Sequence, residues 1–487
     1  MIRAFGRQPI REEFLNSNLG DNRLNKRLVH LAELIDHKYG SNIPQACSAW
    51  KEMVAAYRFF SNPYVDPNLI QQTHFSNTIS RINDSDQNPL LVVQDTTTFN
   101  YNSHYATLNL GPIGRFKKGK TQGIYCHTAM VYTIHGTPLG IIFQKFWTRR
   151  VRAKAYQARR ESRHKLIPIS TKESFRWAQG VEAAYHAQQE TQRRIIVVGD
   201  NESDINDVIR LALERKTGFV IRTDHARACI ESHPKTIKKH LKTEDYYDEM
   251  EINVIYREKK YLHLFGKYRR RSPIHRKANV RIWRKEITIE MRDSVTGKKI
   301  KKQVNVVLAD EKATRGTNVL LSWLLFTNEP IDSRENVRKI VTYYKCRWQI
   351  EEYHRIWKSG CRVEDCRLGY SDRLIKYLKI MAVIAWRQHY LTEIGREYAS
   401  LPASLCLTPM EIQSLKLEFK ELVTTDLTLG EAWHLIAQLG GFFNRKSDGD
   451  PGPTTFWKGL QQIIYTTRGI EQAAEILAQA QNQSKAA

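Results

Sequence analysis

Two short apolar runs, each ending in an acid, constrain the fold of this chain more than any other feature. The first is "PLLVVQD", which ends at Asp95, and the second is "RRIIVVGD", which ends at Asp200. Runs so rich in Val, Leu and Ile are typical of buried strands. Helical patterns such as "KESFRWAQGVEAAYHAQQE" and "DINDVIRLALER" lie between and after them. This order predicts an α/β fold, whose ligands bind at strand ends. Both acids are therefore candidate site residues, although Asp is also common in turns and at helix N-caps.

A stripe of polar side chains marks the segment "YKCRWQIEEYHRIWK". Its members lie within about 60° of one another on an ideal α-helix. The pattern predicts one helix that begins at an Asp332 N-cap, with Glu335 three residues on, and ends at Gly360. The stripe is either a solvated face with an ion pair or one side of a site for a metal and a phosphate. Its residues are Tyr344, Arg347, Glu351 and Lys358.

The charge of the chain indicates a polyanionic partner. Its 76 Lys and Arg against 51 Asp and Glu give a formal net charge of +25, and the commonest polyanion is nucleic acid. The stretch Asn253–Gln303, here called the basic stretch, contains 17 Lys and Arg but only 4 Asp and Glu. Alternating segments within it, such as "VRIWRKEITIEM", predict β-strands with one polar face. A basic sheet surface along a DNA backbone is favoured over a solvated loop.

The first 75 residues read as a small helical domain. "LGDNRLNKRLVHLAELI" predicts a helix with Asp21 as its N-cap, and "WKEMVAAYRFFSNP" predicts a second helix that ends at Asn62–Pro63. Three basic residues share one face of the first helix. With this net charge the face is expected to contact DNA, although a structural role is the alternative. The three residues are Arg23, Lys26 and Arg27.

Cysteine usage and hydropathy argue against a disulfide-stabilised, secreted or membrane-spanning protein. The 487 residues suffice for two or three domains. Seven cysteines without CxxC spacing predict neither a disulfide framework nor a structural zinc site, as in a reducing cytoplasm. No apolar run reaches the ~18 residues of a membrane span, and "MIRAFGRQPIREEF" lacks a signal-peptide pattern. We therefore expect a cytoplasmic protein without a membrane partner.

Three carboxylates make a consistent donor set for metal ions if the fold brings them together. Carboxylate oxygens suit Mg²⁺ or Mn²⁺. Two such ions can activate a hydroxyl or water and stabilise the leaving oxygen in an in-line displacement at phosphorus. Arg347 and Lys358 would then hold the phosphodiester, and Tyr344 could donate to another phosphate oxygen. The three carboxylates are Asp95, Asp200 and Glu351.

These residues resemble a known family. The spaced Tyr, Arg, Glu and Lys are similar to the YREK motif of bacterial cut-and-paste DDE transposases, in the insertion-sequence-four family that includes the Tn-five transposase. The resemblance covers nearly the whole chain: "LGDNRLNKRLVHLA" and "AAYRFFSNP" near the N-terminus, "QDTTTFNY" and "GDNESDI" around the two aspartates, and "LTPMEIQSL" and "IAQLGGFFNRK" near the C-terminus. One departure is Asn201, which follows the second aspartate where a family relative has Arg.

The resemblance implies a domain layout. It implies an all-α DNA-binding domain at 1–75, a ribonuclease-H-like α/β catalytic domain at 76–370, and an α-helical dimerisation region at 371–487. A basic β-strand insertion at about 224–315 would interrupt the catalytic domain. The implied partners are transposon-end DNA and target DNA, bound by a homodimer on paired ends. The implied location is the bacterial cytoplasm, on the nucleoid when DNA is bound.

The resemblance also implies residue roles. Asp95, Asp200 and Glu351 would be the catalytic, metal-binding triad with two Mg²⁺ ions, for which Mn²⁺ would substitute. Arg222 in "GFVIRTDH" would contact DNA near the active site, and Trp323 in "LLSWLLFTNEP" would stack against a flipped base. From the residues alone, the first is a strand-end charge and the second is more often a core residue. His127 either reaches the active site or packs within its strand.

The implied function is DNA transposition: metal-dependent nicking at the transposon end, attack of the freed 3′-OH on the opposite strand, and strand transfer into target DNA. A ribonuclease-H-like nuclease that cuts but never joins is one alternative, against which the added terminal regions argue. An inactive descendant that only binds transposon ends is the other, against which the presence of all three carboxylates argues.

Overall fold

The computed structural model is an α/β structure with a large mixed sheet. By its internal contacts the chain divides into two compact units. The first unit comprises Met1–Leu90, Asp95–Arg152 and Gln349–Ala487, and the second comprises Leu91–Gln94 and Ala153–Trp348. The structure describes residues 10–114, 121–149, 168–224, 226–232, 236–256, 259–262, 267–270, 274–292, 297–312, 320–419, 427–445 and 448–486.

Helices form the N-terminal part of the first unit. The Asp21 side chain accepts a hydrogen bond from the Arg23 backbone N–H at 2.7 Å, which confirms Asp21 as the N-cap of the first helix. The second predicted helix ends at Ser61, and Asn62 is its C-cap as expected. The helices are α1 (Asn22–His37), α2 (Ile43–Ala46), α3 (Trp50–Ser61) and α4 (Gln72–Asp84).

Antiparallel strands follow these helices. β3 and β4 form a hairpin, in which Ala129 lies opposite Phe143. Gly136 lies in the turn with φ of +107°, a conformation that glycine adopts without steric cost. On its other side β3 pairs with β2, where Gly111 lies opposite Gly123. The strands are β1 (Leu90–Asn100), β2 (Gly111–Pro112), β3 (Gln122–Tyr132) and β4 (Pro138–Trp147).

The prediction that Asp95 ends its strand is wrong. β1 continues through Asp95 to Asn100, because the residues that follow, "TTTFN", include three β-branched threonines and a Phe, all of which favour strands. Burial changes along β1 all the same. Leu90–Gln94 are buried, whereas Asp95 and Thr96 are half-buried. Thr97 and Phe99 are buried again, so Asp95 lies at a less buried position within β1 rather than at its end.

The second unit contains a mixed sheet with helices. Its strand order is β5-β6-β12-β11-β10-β7; β5 and β6 are parallel, and the other neighbouring pairs are antiparallel. β8 and β9 pair with each other. The strands are β5 (Ile195–Gly199), β6 (Gly218–Arg222), β7 (Asp248–Tyr256), β8 (Lys259–Leu262), β9 (Lys267–Arg270), β10 (Ile274–Arg292), β11 (Lys299–Glu311) and β12 (Ser322–Thr327). The helices are α5 (Phe175–Thr191), α6 (Asn206–Glu214), α7 (Ile237–Leu241) and α8 (Arg334–Lys345).

Helices return in the C-terminal part of the first unit, which includes the region 371–487 that was expected to be helical. The helix Ser371–Glu397 packs along β4 and α3, and nearly its whole length is buried. The helices are α9 (Trp348–Arg355), a π-helical turn (Ile356–Gly360), α10 (Ser371–Glu397), α11 (Pro409–Glu418), α12 (Leu429–Leu439) and α13 (Pro453–Ala486).

The prediction of one helix for the stripe is wrong. A turn at Cys346 and Arg347 separates α8 from α9, so the stripe is divided: Tyr344 and Arg347 belong to the second unit and the other two members to the first. The N-cap of α8 is Ser333, not Asp332, because the Ser333 hydroxyl accepts from the Asn336 backbone N–H at 3.2 Å.

Gly360 ends the helical segment as predicted, but for a different reason. Its φ is not positive, so it is not a left-handed C′ residue. A Cβ at this position would lie 2.5 Å from the Tyr39 hydroxyl and 3.2 Å from the Trp457 ring. Glycine is therefore needed here because three elements of the first unit pack closely, not because of backbone conformation.

The absence of disulfides is also confirmed. All seven cysteines lie in the described residues and are free thiols. Within the described ranges, none of the helices combines the length and the apolar character that crossing a membrane requires.

A buried ionic cluster ties the first unit together. Glu13 and His74 are fully buried and Arg81 nearly so. Arg81 Nη1 donates to Glu13 Oε1 at 2.8 Å, and His74 Nδ1 lies 2.5 Å from Glu13 Oε2. Arg81 Nε also donates to the Leu139 carbonyl at 2.5 Å, and its guanidinium lies 4.3 Å from the centroid of the Trp386 ring. The cluster thus joins the N-terminal segment, α4, β4 and α10.

We predict that Glu13→Gln destabilises the chain by about 3–5 kcal/mol, because it leaves the Arg81 charge buried without its partner. Burial would raise the pKa of Glu13, but Arg81 and His74 outweigh burial and lower it to about 2. Since the folded pKa lies below that of free Glu, this stabilisation is complete above about pH 4.5 and is lost as the pH falls towards 2. Urea unfolding at pH 7 and pH 3 measures both effects.

The matched control is Glu12→Gln, since Glu12 is the exposed neighbour of Glu13 in the same turn. It should change the unfolding free energy little. Equal midpoints for the two variants would mean that the cluster does not stabilise the first unit.

Candidate active site

Several predicted site residues meet at one end of β5 and β6 in the second unit. Asp200 directly follows β5, and its Oδ1 accepts from the Glu202 backbone N–H at 2.8 Å. The neighbouring Asn201 accepts a hydrogen bond from Arg222, the last residue of β6, at 3.2 Å between Oδ1 and Nη2. The position at which the chain departs from the family pattern therefore holds the side chain of a predicted DNA contact.

Trp323 and Tyr344 belong to the same neighbourhood. Their ring centroids are 4.9 Å apart and the rings meet edge to face at 70°. Trp323 is half-buried at the start of β12, so it is not the core residue that an apolar strand would favour. Tyr344 is only 2% exposed. Burial raises the pKa of its phenol, while Arg347 and Arg222 oppose this and Asp200 adds to it.

Asp95 and its surroundings lie in the first unit. The Asp95 carboxylate is 21% exposed, and its Oδ2 lies 3.5 Å from His354 Nδ1. The next residue, Thr96, has its hydroxyl 2.9 Å from Nδ1 of His127. His127 is fully buried on β3, so it packs within the sheet beside the Asp95 position.

Glu351 lies on α9, one helical turn before His354. The i, i+3 spacing places the two side chains on the same face of this helix, and Glu351 is half-buried. Tyr353 fixes α9 against α10, because its hydroxyl donates to the Ala382 carbonyl at 3.2 Å. Lys358 follows in the π-helical turn, and its Nζ lies 5.7 Å from the centroid of the Phe99 ring of β1. The first unit therefore gathers two proposed ligands and one proposed phosphate contact around β1.

The sequence analysis missed His354. It is almost buried beside Asp95, and its Nε2 has no hydrogen-bond partner among the described residues. Its place three residues after Glu351 was visible in the sequence, but the contact with Asp95 joins residues 259 positions apart, which helical periodicity does not report.

The donor chemistry of the three carboxylates fits a divalent ion. Hard oxygen donors are the ligands that Mg²⁺ and Mn²⁺ prefer. Across the part of the chain that the structure describes, no group of three or more His, Cys, Asp or Glu side chains is arranged to hold a metal. The assignment of these carboxylates as ligands therefore stays a prediction.

The three basic residues of α1 differ in their surroundings. Arg23 is exposed but pairs with its own N-cap, at 2.8 Å between Nη2 and Asp21 Oδ2. Lys26 is exposed and Arg27 is half-buried. Arg23 and Lys26 are therefore both open to solvent on this predicted DNA face, and Arg23 is already paired with Asp21.

Five of the 17 Lys and Arg of the basic stretch form ion pairs within the second unit. Parts of the stretch lie outside the described residues, but its described strands, β7 to β11, are present as predicted. Cross-strand ion pairs occupy several cations, whereas Lys301 and Lys302 of β11 are exposed. The pairs are Arg276–Glu311, Lys277–Glu251, Arg281–Glu249, Lys285–Glu244 and Lys299–Glu290.

Three family models match the chain. A transposase DNA-binding model matches residues 7–65. A transposase DDE domain model matches residues 179–386, which include Asp200 and Glu351, while Asp95 precedes the match. A transposase Tn5 dimerisation domain model matches residues 383–477.

We predict that Lys301→Gln with Lys302→Gln makes DNA binding less dependent on salt. For every phosphate that the variant no longer neutralises, the slope of log K against log salt should fall by about 0.9. Equilibrium binding to duplex DNA between low and physiological salt measures the slope. Lys277→Gln is the control, because Glu251 already lies 2.8 Å from its Nζ. A slope that stays at the wild-type value in the double variant would show that this edge of the sheet does not lie on DNA.

Proposed function

Because the chain belongs to the DDE transposases similar to the Tn5 transposase, we propose that it moves its element by cut and paste. It is a DNA transposase, with DNA as its partner and a dimerisation domain. The proposed sequence of steps is nicking at the transposon end, attack of the freed 3′-OH on the opposite strand, and strand transfer into target DNA. The observation that carries the proposal is the ordered presence of DNA-binding, DDE and dimerisation regions in one chain.

DDE transposase domains typically use divalent metal ions, and we propose two Mg²⁺ ions, replaceable by Mn²⁺. Asp95, Asp200 and Glu351 would hold them. When bound, such ions lower the pKa of the attacking water or hydroxyl and neutralise charge on the leaving oxygen. The same residues would serve cleavage and strand transfer, since only the nucleophile changes, from water to a 3′-OH.

The polar neighbours of these carboxylates would hold DNA. Arg347 presents a planar fork that can hold two phosphate oxygens, and Lys358 supplies a second positive charge. Arg222 is held by Asn201, which supports a fixed rather than a mobile contact with a phosphate. Trp323 is half-buried against Tyr344, so one side of its ring remains accessible for a base.

The layout that we propose follows the three matches. The DNA-binding domain would occupy 1–75, a ribonuclease-H-like catalytic domain 76–370, and the dimerisation region 371–487, with two copies acting on paired ends. Arg23, Lys26 and Arg27 would contact end DNA. A chain that works on DNA in this way would act in the bacterial cytoplasm, at the nucleoid.

We predict that Asp95→Ala, Asp200→Ala and Glu351→Ala each lower cleavage and strand transfer by roughly 10²–10³-fold or more, as loss of transition-state charge stabilisation does. End binding should persist, because the phosphate contacts remain. Purified protein, DNA carrying the terminal repeats of its own element, and Mg²⁺ make up the assay. Joined products separate a transposase from an enzyme that only cuts.

A metal-specific control distinguishes ligands from structural residues. Asp200→Cys replaces a hard oxygen by a soft thiolate, so it should be inactive with Mg²⁺ and regain cleavage with Mn²⁺. Substantial Mg²⁺-dependent cleavage by any of the three Ala variants would remove that residue from the triad.

We predict that Arg347→Gln and Lys358→Gln reduce cleavage steeply while the melting temperature barely changes. Oriented cations beside a reacting phosphoryl group contribute several kcal/mol to lowering the barrier. Arg347 and Lys358 are half-buried and not in the core, and ion pairs that water reaches contribute little stability. Arg347→Lys should restore little, because a point charge does not replace a bidentate fork. Melting temperature, end binding and cleavage are compared for each variant.

The matched control is Lys345→Gln, which removes an exposed cation two residues before Arg347 at the end of α8. It should cleave normally. Near-normal cleavage by the Arg347 and Lys358 variants as well would leave the stripe as ordinary surface.

A further inference from the structure

An exposed tryptophan stands at the start of α3. The chain has ten tryptophans, all within the described residues. Among them only Trp50 is exposed, with 76% of its surface accessible to solvent. Tryptophan is highly buried on average, and its large ring dominates the energetics of the interfaces in which it takes part. A ring so open to solvent in the isolated chain suggests a partner that covers it.

The backbone that carries Trp50 is fixed. Glu52 Oε2 accepts hydrogen bonds from the backbone N–H groups of Ser48 at 2.8 Å and Ala49 at 3.3 Å. The other carboxylate oxygen of Glu52 lies 3.5 Å from His30 Nε2 of α1. The start of α3 is therefore tied to α1, and the exposure of Trp50 is not that of a frayed helix end.

Trp50 has cations near it. Lys51 is exposed beside it, and the Glu52 carboxylate at the same end of α3 is already engaged by the Ser48 and Ala49 N–H groups. Burial and Glu52 raise the pKa of the nearby Cys47 thiol, while Lys38, just after α1, and Arg27 of α1 act in the opposite direction. An exposed aromatic ring with cations near it suits DNA rather than a basic or apolar protein surface.

The family matches decide between the possible occupants. Trp50 lies within the match to the transposase DNA-binding model, residues 7–65, and far from the match to the dimerisation model, residues 383–477. Recognition helices place their N-terminal residues against base edges, and apolar side chains read the thymine methyl group in the major groove.

We propose that Trp50 contacts a base of the transposon-end DNA and helps to specify its sequence, while Lys51 contacts the adjoining phosphate. This inference rests on the proposed recognition of the element's own ends. Contacts with DNA phosphates position a protein on the duplex, but they do not read its sequence. A contact between the Trp50 ring and a base would supply that sequence readout.

The test compares binding of Trp50→Ala and wild type to terminal-repeat DNA and to unrelated duplex DNA of equal length. EDTA is present, so that no cleavage step enters. We expect Trp50→Ala to weaken end binding by about 5- to 150-fold, the range of one good base contact. Binding to unrelated DNA and the salt slope should stay at their wild-type values, because all phosphate contacts remain in this variant. Lys51→Gln should instead weaken both DNAs and make the slope shallower.

Two further variants exclude a structural role. Trp50→Phe keeps an apolar ring and should retain most of the end preference. Tyr64→Ala is the matched control: Tyr64 is 83% exposed but lies beyond the C-terminal end of α3, a helix about 18 Å long that begins at Trp50. This variant should bind both DNAs like wild type. Replacing each thymine of the repeat by uracil removes its methyl group and identifies the base. At the position that Trp50 contacts, the replacement should weaken binding of wild type but not of Trp50→Ala.

Three outcomes would overturn the inference. They are an unchanged end affinity in Trp50→Ala, an equal loss on both DNAs, and a loss that accompanies a lowered melting temperature in both Trp50 variants. A wild-type chain that does not distinguish its ends from unrelated DNA would overturn the proposed end recognition as well, and so separates the two failures.

Discussion

The buried pair of Glu13 and Arg81 is the interaction on which the first unit depends. Arg81 reaches the Leu139 carbonyl of β4 and the ring of Trp386 on α10. β4 pairs with β3, which carries His127 beside Thr96, the residue after Asp95. α10 in turn accepts the Tyr353 hydroxyl bond that fixes the helix of Glu351. Two proposed metal ligands are thus positioned by packing that begins at a charge pair buried far from them in sequence.

The second unit positions its residues differently, through turns at strand ends. Gly199 leaves room for the Ser203 hydroxyl, which a Cβ would approach to 2.3 Å, so the chain can bend directly after β5 and present Asp200. Antiparallel pairing of β6 with β12 sets Arg222 opposite Leu325, two residues from Trp323. The neighbourhood of Asp200, Arg222 and Trp323 therefore follows from sheet register and one tight turn.

Local patterns predicted the elements well and their limits less well. The Asp21 cap and Asp200 after β5 follow from short-range chemistry, and the structure contains both. The turn at Cys346 and Arg347 contains no Gly or Pro, so helical periodicity predicted one continuous helix where the structure has two. The contact of His354 with Asp95 and the cross-strand ion pairs depend on tertiary register, which one sequence without its fold does not contain.

Net charge overstates the surface available to DNA. The chain carries +25, yet cations such as Arg281 and Lys277 meet carboxylates across the sheet, and a neutralised cation releases few counterions from DNA. The accessible charge is then carried by exposed lysines such as Lys26, Lys51 and Lys302, which in the proposed complex would supply affinity for DNA without sequence information. Discrimination between one DNA end and another has to come from groups that reach the bases, and a fixed, exposed ring such as Trp50 is suited to that task because its contact depends on the base and not on the backbone.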